Sequence, residues 1–281
     1  AVLEGVVRGI SEHRLDVTIL TLQRDKRPTE SYAQFFARKG VRAVALRTVA
    51  NTRDVCLQIA REGIPHVVIS ERFDEPEVCY IDGASGDETA RAVEYLIELG
   101  HRRIAFTMHN VPDRDHEDRL NGYKSGLRAG GIPFSDKLVW RQPSSLSGGA
   151  TALELAMTYS DRPTALVAAD PLLAIGAVRR AHELGVKVPG DMSIVGFDDG
   201  DMRFCVYPTM SCVCQNAADV GIAAGRFLAA AVSGETKLIR STLPTYFEVN
   251  GTTGPPLESP KPKRSGSAAK AGLVKSNGGE R

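Results

Sequence analysis

No stretch of this 281-residue sequence stays apolar for the roughly 18–20 residues that a membrane-spanning helix needs. The chain is therefore read as having no membrane partner. Net charge is lacking too: 35 Lys and Arg stand against 34 Asp and Glu, for a formal +1. That balance argues against a body coated in positive charge for nucleic acid. Cysteine is sparse and odd in number, at 56, 79, 205, 212 and 214, with no C-x-x-C pair. Neither a disulfide framework nor a zinc ribbon is indicated, and a reducing, cytoplasmic compartment is expected. No charged segment followed by an apolar core opens the chain, so a secretory leader is not expected, although Ala1 rather than Met stands first. Enzyme signatures are missing: there is no G-x-S-x-G elbow, Walker loop, strand-linked G-x-G-x-x-G or H-E-x-x-H. The expectation is a protein that is not an enzyme and uses no cofactor.

What is present is an ordinary globular composition, 42% hydrophobic and 25% charged. Short β-branched runs alternate with helix-length amphipathic segments. Strands are expected at 16–22, 41–46, 64–70, 77–82 and 102–108, then at 137–141, 164–169, 192–197, 210–214 and 246–250. Helices are expected at 1–14, 28–39, 52–62, 87–99, 117–129, 148–159, 172–184 and 216–232. Gly40, Gly63, Gly100 and Gly185 stand where helices should end. This alternation predicts an α/β fold with parallel sheets covered on both faces. A break near 109–116 divides the rhythm into two doubly wound lobes. Residues 254–281 carry six basic and two acidic side chains among Pro, Gly, Ser and Ala, and 257–281 are expected to be a disordered tail. Without that stretch the body holds 29 basic and 32 acidic residues, a formal −3.

Two clusters invite a metal reading. PDRDHEDR at 112–119 gathers Asp, His and Glu, but such groups crowded on one loop read as a solvated surface. Cys212 and Cys214 project to one face of a strand, where small buried hydrophobes are the simpler reading, because no partner ligands are evident. No metal site is expected. Asp198, Asp199 and Asp201 could be imagined as acid and base groups, yet no nucleophile or cofactor motif supports them.

GHRRIAF at 100–106 is followed by RLNGYKSGLRAGGI at 119–132, by PTALVAADPLLAIGAVRRAHELGVKVPGDMSIVGFDD at 163–199, and by YPTMSCVCQNAADVGIAAGRFL at 207–228. In order, wording and spacing these segments resemble the effector-binding core of the lactose/galactose-repressor (LacI/GalR) family of bacterial transcription regulators. The resemblance runs from about residue 1 to residue 256. It implies a fold like that of the type I periplasmic binding proteins, two doubly wound parallel-sheet lobes joined by three hinge crossovers, near 109–112, 215–217 and 250. The N-terminal lobe would comprise 1–110 and 217–249, and the C-terminal lobe 111–216 and 250–256. A small polar effector, most simply a sugar, would sit between the lobes. Operator DNA would be bound by a helix-turn-helix head that this chain does not carry. The likeness also implies a homodimer, and it leaves the first strand of the N-terminal lobe without a counterpart here.

Site residues carry over one by one. Arg119 matches the effector-contacting arginine of an R-x-x-G-[WY] pattern, and its planar fork suits paired hydroxyls or a carboxylate. Asp198 matches the first acid of G-[FY]-D-D, with helix capping as its other reading. Asp170 stands where the family usually has Asn, and Pro171 where it has Asp, so Asp170 is either a ligand acid or a cap. Gln215 either touches ligand or pins the hinge backbone. Ser144 lies near a position that is often aromatic and stacks on sugar faces. Trp140, the single tryptophan, is close by and reads either as that stacking ring or as core. Ser70 falls near a ligand acid. A solute-binding protein of a transport system shares this fold and is the alternative reading.

Overall fold

The computed structural model describes residues 1–47, 52–111, 114–198, 200–235 and 238–257. Chain order runs α1 (Val2–Ser11), the single-turn α2 (Leu22–Asp25), α3 (Tyr32–Arg38), β1 (Val44–Arg47), α4 (Arg53–Arg61), β2 (His66–Ile69), β3 (Tyr80–Gly83) and α5 (Ser85–Glu98). It continues through β4 (Ile104–His109), α6 (Arg114–Ala129), β5 (Val139–Gln142), α7 (Leu146–Thr158), β6 (Ala165–Ala168), α8 (Pro171–Glu183) and β7 (Ser193–Asp198). After a 3-10 turn at Asp201–Cys205 come β8 (Ser211–Cys214), α9 (Ala217–Val232), β9 (Arg240–Leu243) and β10 (Tyr246–Glu248). Two sheets result, one of four parallel strands in the order β1-β2-β3-β9, the other of six in the order β10-β8-β7-β6-β4-β5. In the second, only β10 runs antiparallel to its neighbour.

Strand periodicity assigns each sheet face its helices. On the six-stranded sheet, Ile104, Phe106 and Met108 of β4 point to α5 and α6, meeting Val93, Leu96, Tyr123 and Leu127. Ala105, between them in sequence, points to the other face, where Leu153 of α7 and Ala177 of α8 pack. On the four-stranded sheet, Val67, Ile69 and Ile81 meet Val6 and Ile10 of α1 and Val220, Ala224 and Leu228 of α9. The helices of each pair approach so closely that glycine is needed at the contact. A Cβ on Gly122 of α6 would lie 2.1 Å from the Gly86 carbonyl oxygen of α5, and one on Gly221 of α9 would lie 2.1 Å from the Val2 carbonyl oxygen of α1.

Local chemistry sets several helix ends. Asp170 caps α8 by accepting from the N–H groups of Leu172 and Leu173, with Pro171 at the first helical position. Helix α3 begins later than the 28 expected from Pro28. Ser31 Oγ accepts from Gln34 N at 3.1 Å while Gln34 Oε1 accepts from Ser31 N at 3.0 Å, and this reciprocal capping box fixes the start at Tyr32.

Three expectations are corrected. The strand at 16–22 does not form: residues 16–21 carry no ladder and Ile19 is 76% exposed. A β-branched run becomes a strand only against a hydrogen-bonding neighbour, and β1 is the outer strand of its sheet, with no described segment joining it to that run. Strand β9 was not anticipated, because RSTL alternates exposed and half-buried side chains at a sheet edge without a hydrophobic stripe. The first crossing between sheets falls at 83–85, between β3 and α5, rather than near 109–112. The stripe of α5 (Ala92, Val93, Leu96, Ile97) is buried against the six-stranded sheet, and β4 is itself a strand of that sheet. The later crossings fall at 214–217 and 243–246, so the third precedes residue 250. The tail beyond residue 257 and Asp199 lie outside the described residues.

Candidate functional site

The carboxyl ends of β6, β7 and β8 meet the first and second crossings at one buried arginine. Arg119 projects from the first half of α6, in the motif Arg119–Gly122–Tyr123. Gly122 brings α6 against α5, and Tyr123 anchors the helix by donating its hydroxyl to the Ile104 carbonyl at 2.8 Å. Arg119 is 5% exposed. Its Nε donates to Ser85 Oγ at 3.2 Å, at the first crossing, and Nη1 donates to the Ala169 carbonyl at 2.9 Å, just beyond β6. Nη2 donates to Gln215 Oε1 at 3.1 Å, just beyond β8, and to Asp115 Oδ2 at 3.3 Å. The guanidinium carbon lies 4.4 Å from the centre of the Phe197 ring. Asp115 supplies the countercharge, and the planar fork is satisfied on each of its three nitrogens.

Gln215 is also buried. Its backbone N–H donates to the Asp198 carbonyl at 2.9 Å, and its side-chain amide fills the space that the missing Cβ of Gly83 leaves open. Arg119, Gln215 and the backbone of Asp198 therefore form one cluster spanning two crossings. The Asp198 carboxylate faces elsewhere: Oδ1 accepts from Gly200 N and Met202 N, and Oδ2 accepts from Arg203 Nη1 at 2.5 Å. Asp170 keeps its capping role while Oδ2 accepts from Ser144 Oγ at 2.5 Å. The Ser144–Asp170 pair connects to the arginine through Ala169. Ser70, left-handed at φ 62°, lies beyond β2 with its N–H on the Ile81 carbonyl, and the structure does not bring it to the cluster. Trp140 is core: it packs among Leu153 and Ala156, lies tilted against Tyr159 with ring centres 6.1 Å apart, and donates to the Lys137 carbonyl at 3.1 Å. Its fused ring fills the sheet face under α7, so no sugar face can reach it.

Several contributors escaped the sequence reading. Ser85 was overlooked because the first crossing was placed too late in the chain. Arg72, in the loop after β2, lies 3.1 Å from fully buried Asp82 and also pairs with Asp118 of α6, so it ties the two sheets together. A cleft of about 410 Å³ opens beside it, lined by Arg72, Ser85, Asp87, Asp118, Asn121 and Arg128 among others. A smaller one of about 140 Å³ lies at the second and third crossings, against Gln215, Asn216, Asp219 and Pro244. Of the six expected site residues, only Gln215 lines either cleft. Arg203 was also missed, since it stands five positions after Asp198 and only the 3-10 turn brings them together.

The thiols of Cys212 and Cys214 lie 3.4 Å apart. The Cys212 thiol is pushed up by its hydrogen bond to Cys214 and by burial. Cys214 is held down by that same bond, with help from the Arg203 cation and the Tyr246 hydroxyl and against the effect of burial. In PDRDHEDR, Asp118 pairs with Arg72 and Arg114 and Asp115 with Arg119, while Pro112 and Asp113 lie outside the described residues.

Two helix-flanked sheets, crossed three times by the chain and knit at their strand ends by a buried polar cluster, define a two-lobed binding core. Residues 93–253 match the periplasmic binding protein-like domain family, and the chain belongs to it. Its homologues and structural neighbours are LacI-family transcription regulators, and it corresponds to their effector-binding core. It is 26% identical over 220 residues to the ribose operon repressor of Haemophilus influenzae, covering 78% of this chain and 66% of that protein. The chain thus spans just under two thirds of that repressor's length. Among solved structures, a transcriptional regulator CelR–cellobiose complex superposes with a TM-score of 0.79 at 26% identity, covering 89% of this chain and 77% of that one. A LacI family transcriptional regulator from Mycobacterium smegmatis superposes at 0.77 with 28% identity, covering 91% and 94%. No described helix is long and apolar enough to cross a membrane.

Proposed function

We propose that this chain is the effector-sensing core of a cytoplasmic, homodimeric, DNA-binding transcription regulator that is not an enzyme. A small polar ligand, best matched by a sugar, binds between the lobes and changes operator affinity by shifting their orientation. The observation that carries the reading is the Arg119 cluster: one buried guanidinium holds Ser85 at the first crossing and Gln215 at the second. A ligand that competes for this fork acts directly on the hinge. The CelR–cellobiose neighbour supports a sugar as the ligand class. Asp170 and Ser144 offer a carboxylate and a hydroxyl beyond β6, suited to a diol, and Asp198 takes part through its backbone carbonyl on Gln215. Ser70 would join them from the other lobe. Because Arg119, Asp170 and Ser144 already have partners within the chain, ligand hydroxyls must replace or extend those bonds. A ligand that binds the closed arrangement better than the open one shifts the population toward it, and the coupling to DNA is reciprocal.

Isothermal titration of the intact protein against pentoses, hexoses, disaccharides and nucleosides tests this. Saturable binding of one class, weakened roughly tenfold or more in Arg119→Met, a loss of about 1.4 kcal/mol or more, is expected. No binding across the panel would remove the sensor reading. The named relatives favour a regulator over a transport protein, and the coding sequence ahead of Ala1 separates the two: a helix-turn-helix supports the first, a secretion signal the second.

A further inference from the structure

On the face of the six-stranded sheet opposite α5 and α6, three adjacent strands gather metal-ligating side chains. Parallel register places Asp198 of β7 directly beside Cys214 of β8, while Cys212, two residues earlier, shares that face and lies beside Gly196. The antiparallel register of β10 puts Tyr246 beside Cys214 and Glu248 beside Cys212. A carboxylate oxygen of Asp198 and the two sulfurs lie within 4.8 Å of one another, and all three residues are at least 97% buried. The carboxylate is held in place from one side, with Oδ1 accepting from Gly200 N and Met202 N and Oδ2 from Arg203, and a carboxylate oxygen with two lone pairs can accept this bond and still face the sulfurs. As a donor set the arrangement is coherent. Sulfurs bound at about 2.3 Å on two corners of a tetrahedron sit about 3.8 Å apart, and the observed 3.4 Å is within a small side-chain rotation of that.

Charge fits as well. Two thiolates and one carboxylate around a divalent cation leave one negative charge. Arg203, 2.5 Å from Asp198 and 3.4 Å from Glu248, is placed to offset it. Its guanidinium closes the layer from the Asp201–Cys205 turn, and half-exposed Tyr246 stands on the solvent side.

We propose that Asp198, Cys212 and Cys214 bind a thiophilic divalent cation of the zinc class. Thiolate-rich sites with one carboxylate suit zinc and its spectroscopic stand-in cobalt better than magnesium or calcium, which require oxygen ligands. The sequence supplied the two cysteines without their partner; the sheet register supplies the partner. An ion here holds the end of β8 one residue before Gln215, and hence the second crossing.

The test uses the intact, reduced, chelator-treated protein with no sugar present, so its outcome is separate from that of the sensor reading. Titration with cobalt(II) alone should reach saturation at one equivalent, with an intense near-ultraviolet thiolate-to-cobalt band that zinc(II) then bleaches. Cys212→Ser and Cys214→Ser should each weaken binding on the order of 100-fold, since losing a ligand costs at least as much as losing an outer partner. Cys205→Ser, at an exposed thiol outside the set, should leave binding unchanged. X-ray absorption on the zinc-loaded wild type does not depend on any variant folding, and should report two sulfur neighbours at about 2.3 Å. Absence of the charge-transfer band, retention of it in both cysteine variants, or a zinc shell of oxygen and nitrogen alone would each overturn the proposal.

Discussion

Replacing Arg119 by methionine removes a cation from the junction of the crossings while keeping a flexible chain on the Phe197 ring. Four contacts go at once: those to Ser85 Oγ, the Ala169 carbonyl, Gln215 Oε1 and Asp115 Oδ2. Ala169 is fully buried, so its carbonyl is left with an acceptor site that water cannot reach. Asp115 loses the countercharge it holds at 3.3 Å. Taken singly, hydrogen bonds to a charged group contribute about 1.5–3 kcal/mol each, but they share one guanidinium and do not add. Breaking one side of a buried ion pair costs about 3–5 kcal/mol, and that range is the expected loss. Urea denaturation followed by circular dichroism reads it directly. Arg119→Lys should recover only part, because an ammonium cannot reach four acceptors that a planar fork spans. A loss below about 1 kcal/mol in Arg119→Met, or full rescue by lysine, would refute the view that this side chain knits the crossings.

Other consequences follow from the same geometry. Gly122→Ala places a methyl group 2.1 Å from the Gly86 carbonyl oxygen, so α5 and α6 must part. Overpacking of about 1–3 kcal/mol outweighs the roughly 1 kcal/mol gained in helix propensity, and the melting temperature should fall, whereas Gly190→Ala, with only Lys187 side-chain atoms near, should leave it unchanged. Arg72→Met leaves fully buried Asp82 without its cation, and after allowing for the partial exposure of Arg72 about 2 kcal/mol should be lost; no change in the urea midpoint would contradict the pairing. His66 and His101 are held neutral, their values pushed down by burial against the pull of the Ile64 and Gly254 carbonyls. The unfolded chain therefore binds protons near pH 6.5 that the folded chain refuses, so this stability is complete above about pH 6.5 and is lost as pH falls toward the depressed folded values. The urea midpoint should decline from pH 7 to pH 5, a window in which Asp25 and Glu30, held at about 2, do not titrate. A flat or rising midpoint would contradict the histidine assignment.

Sheet-forming runs such as ALVA and the SIVGF of SIVGFD were legible because strands buried on both faces are written as short, mostly apolar and β-branched segments. Arg119 and Gln215 were legible through motif wording, and the structure joins them. The first crossing was not legible. The helical stripe of α5 says that one face is buried without saying against which sheet, and a break in rhythm near 109–116 was mistaken for the passage between lobes. The strand expected at 16–22 failed for a related reason: propensity cannot show whether a partner edge is within reach. Arg203 and Arg72 act through turns whose geometry single-residue spacing does not encode. The pairing of Asp198 with Cys214 is a matter of register between strands separated by a 3-10 turn, information that neither segment carries alone.

The central claim is that ligand occupancy moves one lobe relative to the other about the crossings. Spin labels at exposed Arg61 of α4 and exposed Arg179 of α8, in a Cys205→Ser background, place one probe on each lobe. Pulsed dipolar spectroscopy with and without the sugar identified by titration should show the distance distribution narrowing and shifting to shorter values, and the shift should vanish in Arg119→Met. An identical distribution in the free and saturated protein would contradict the account.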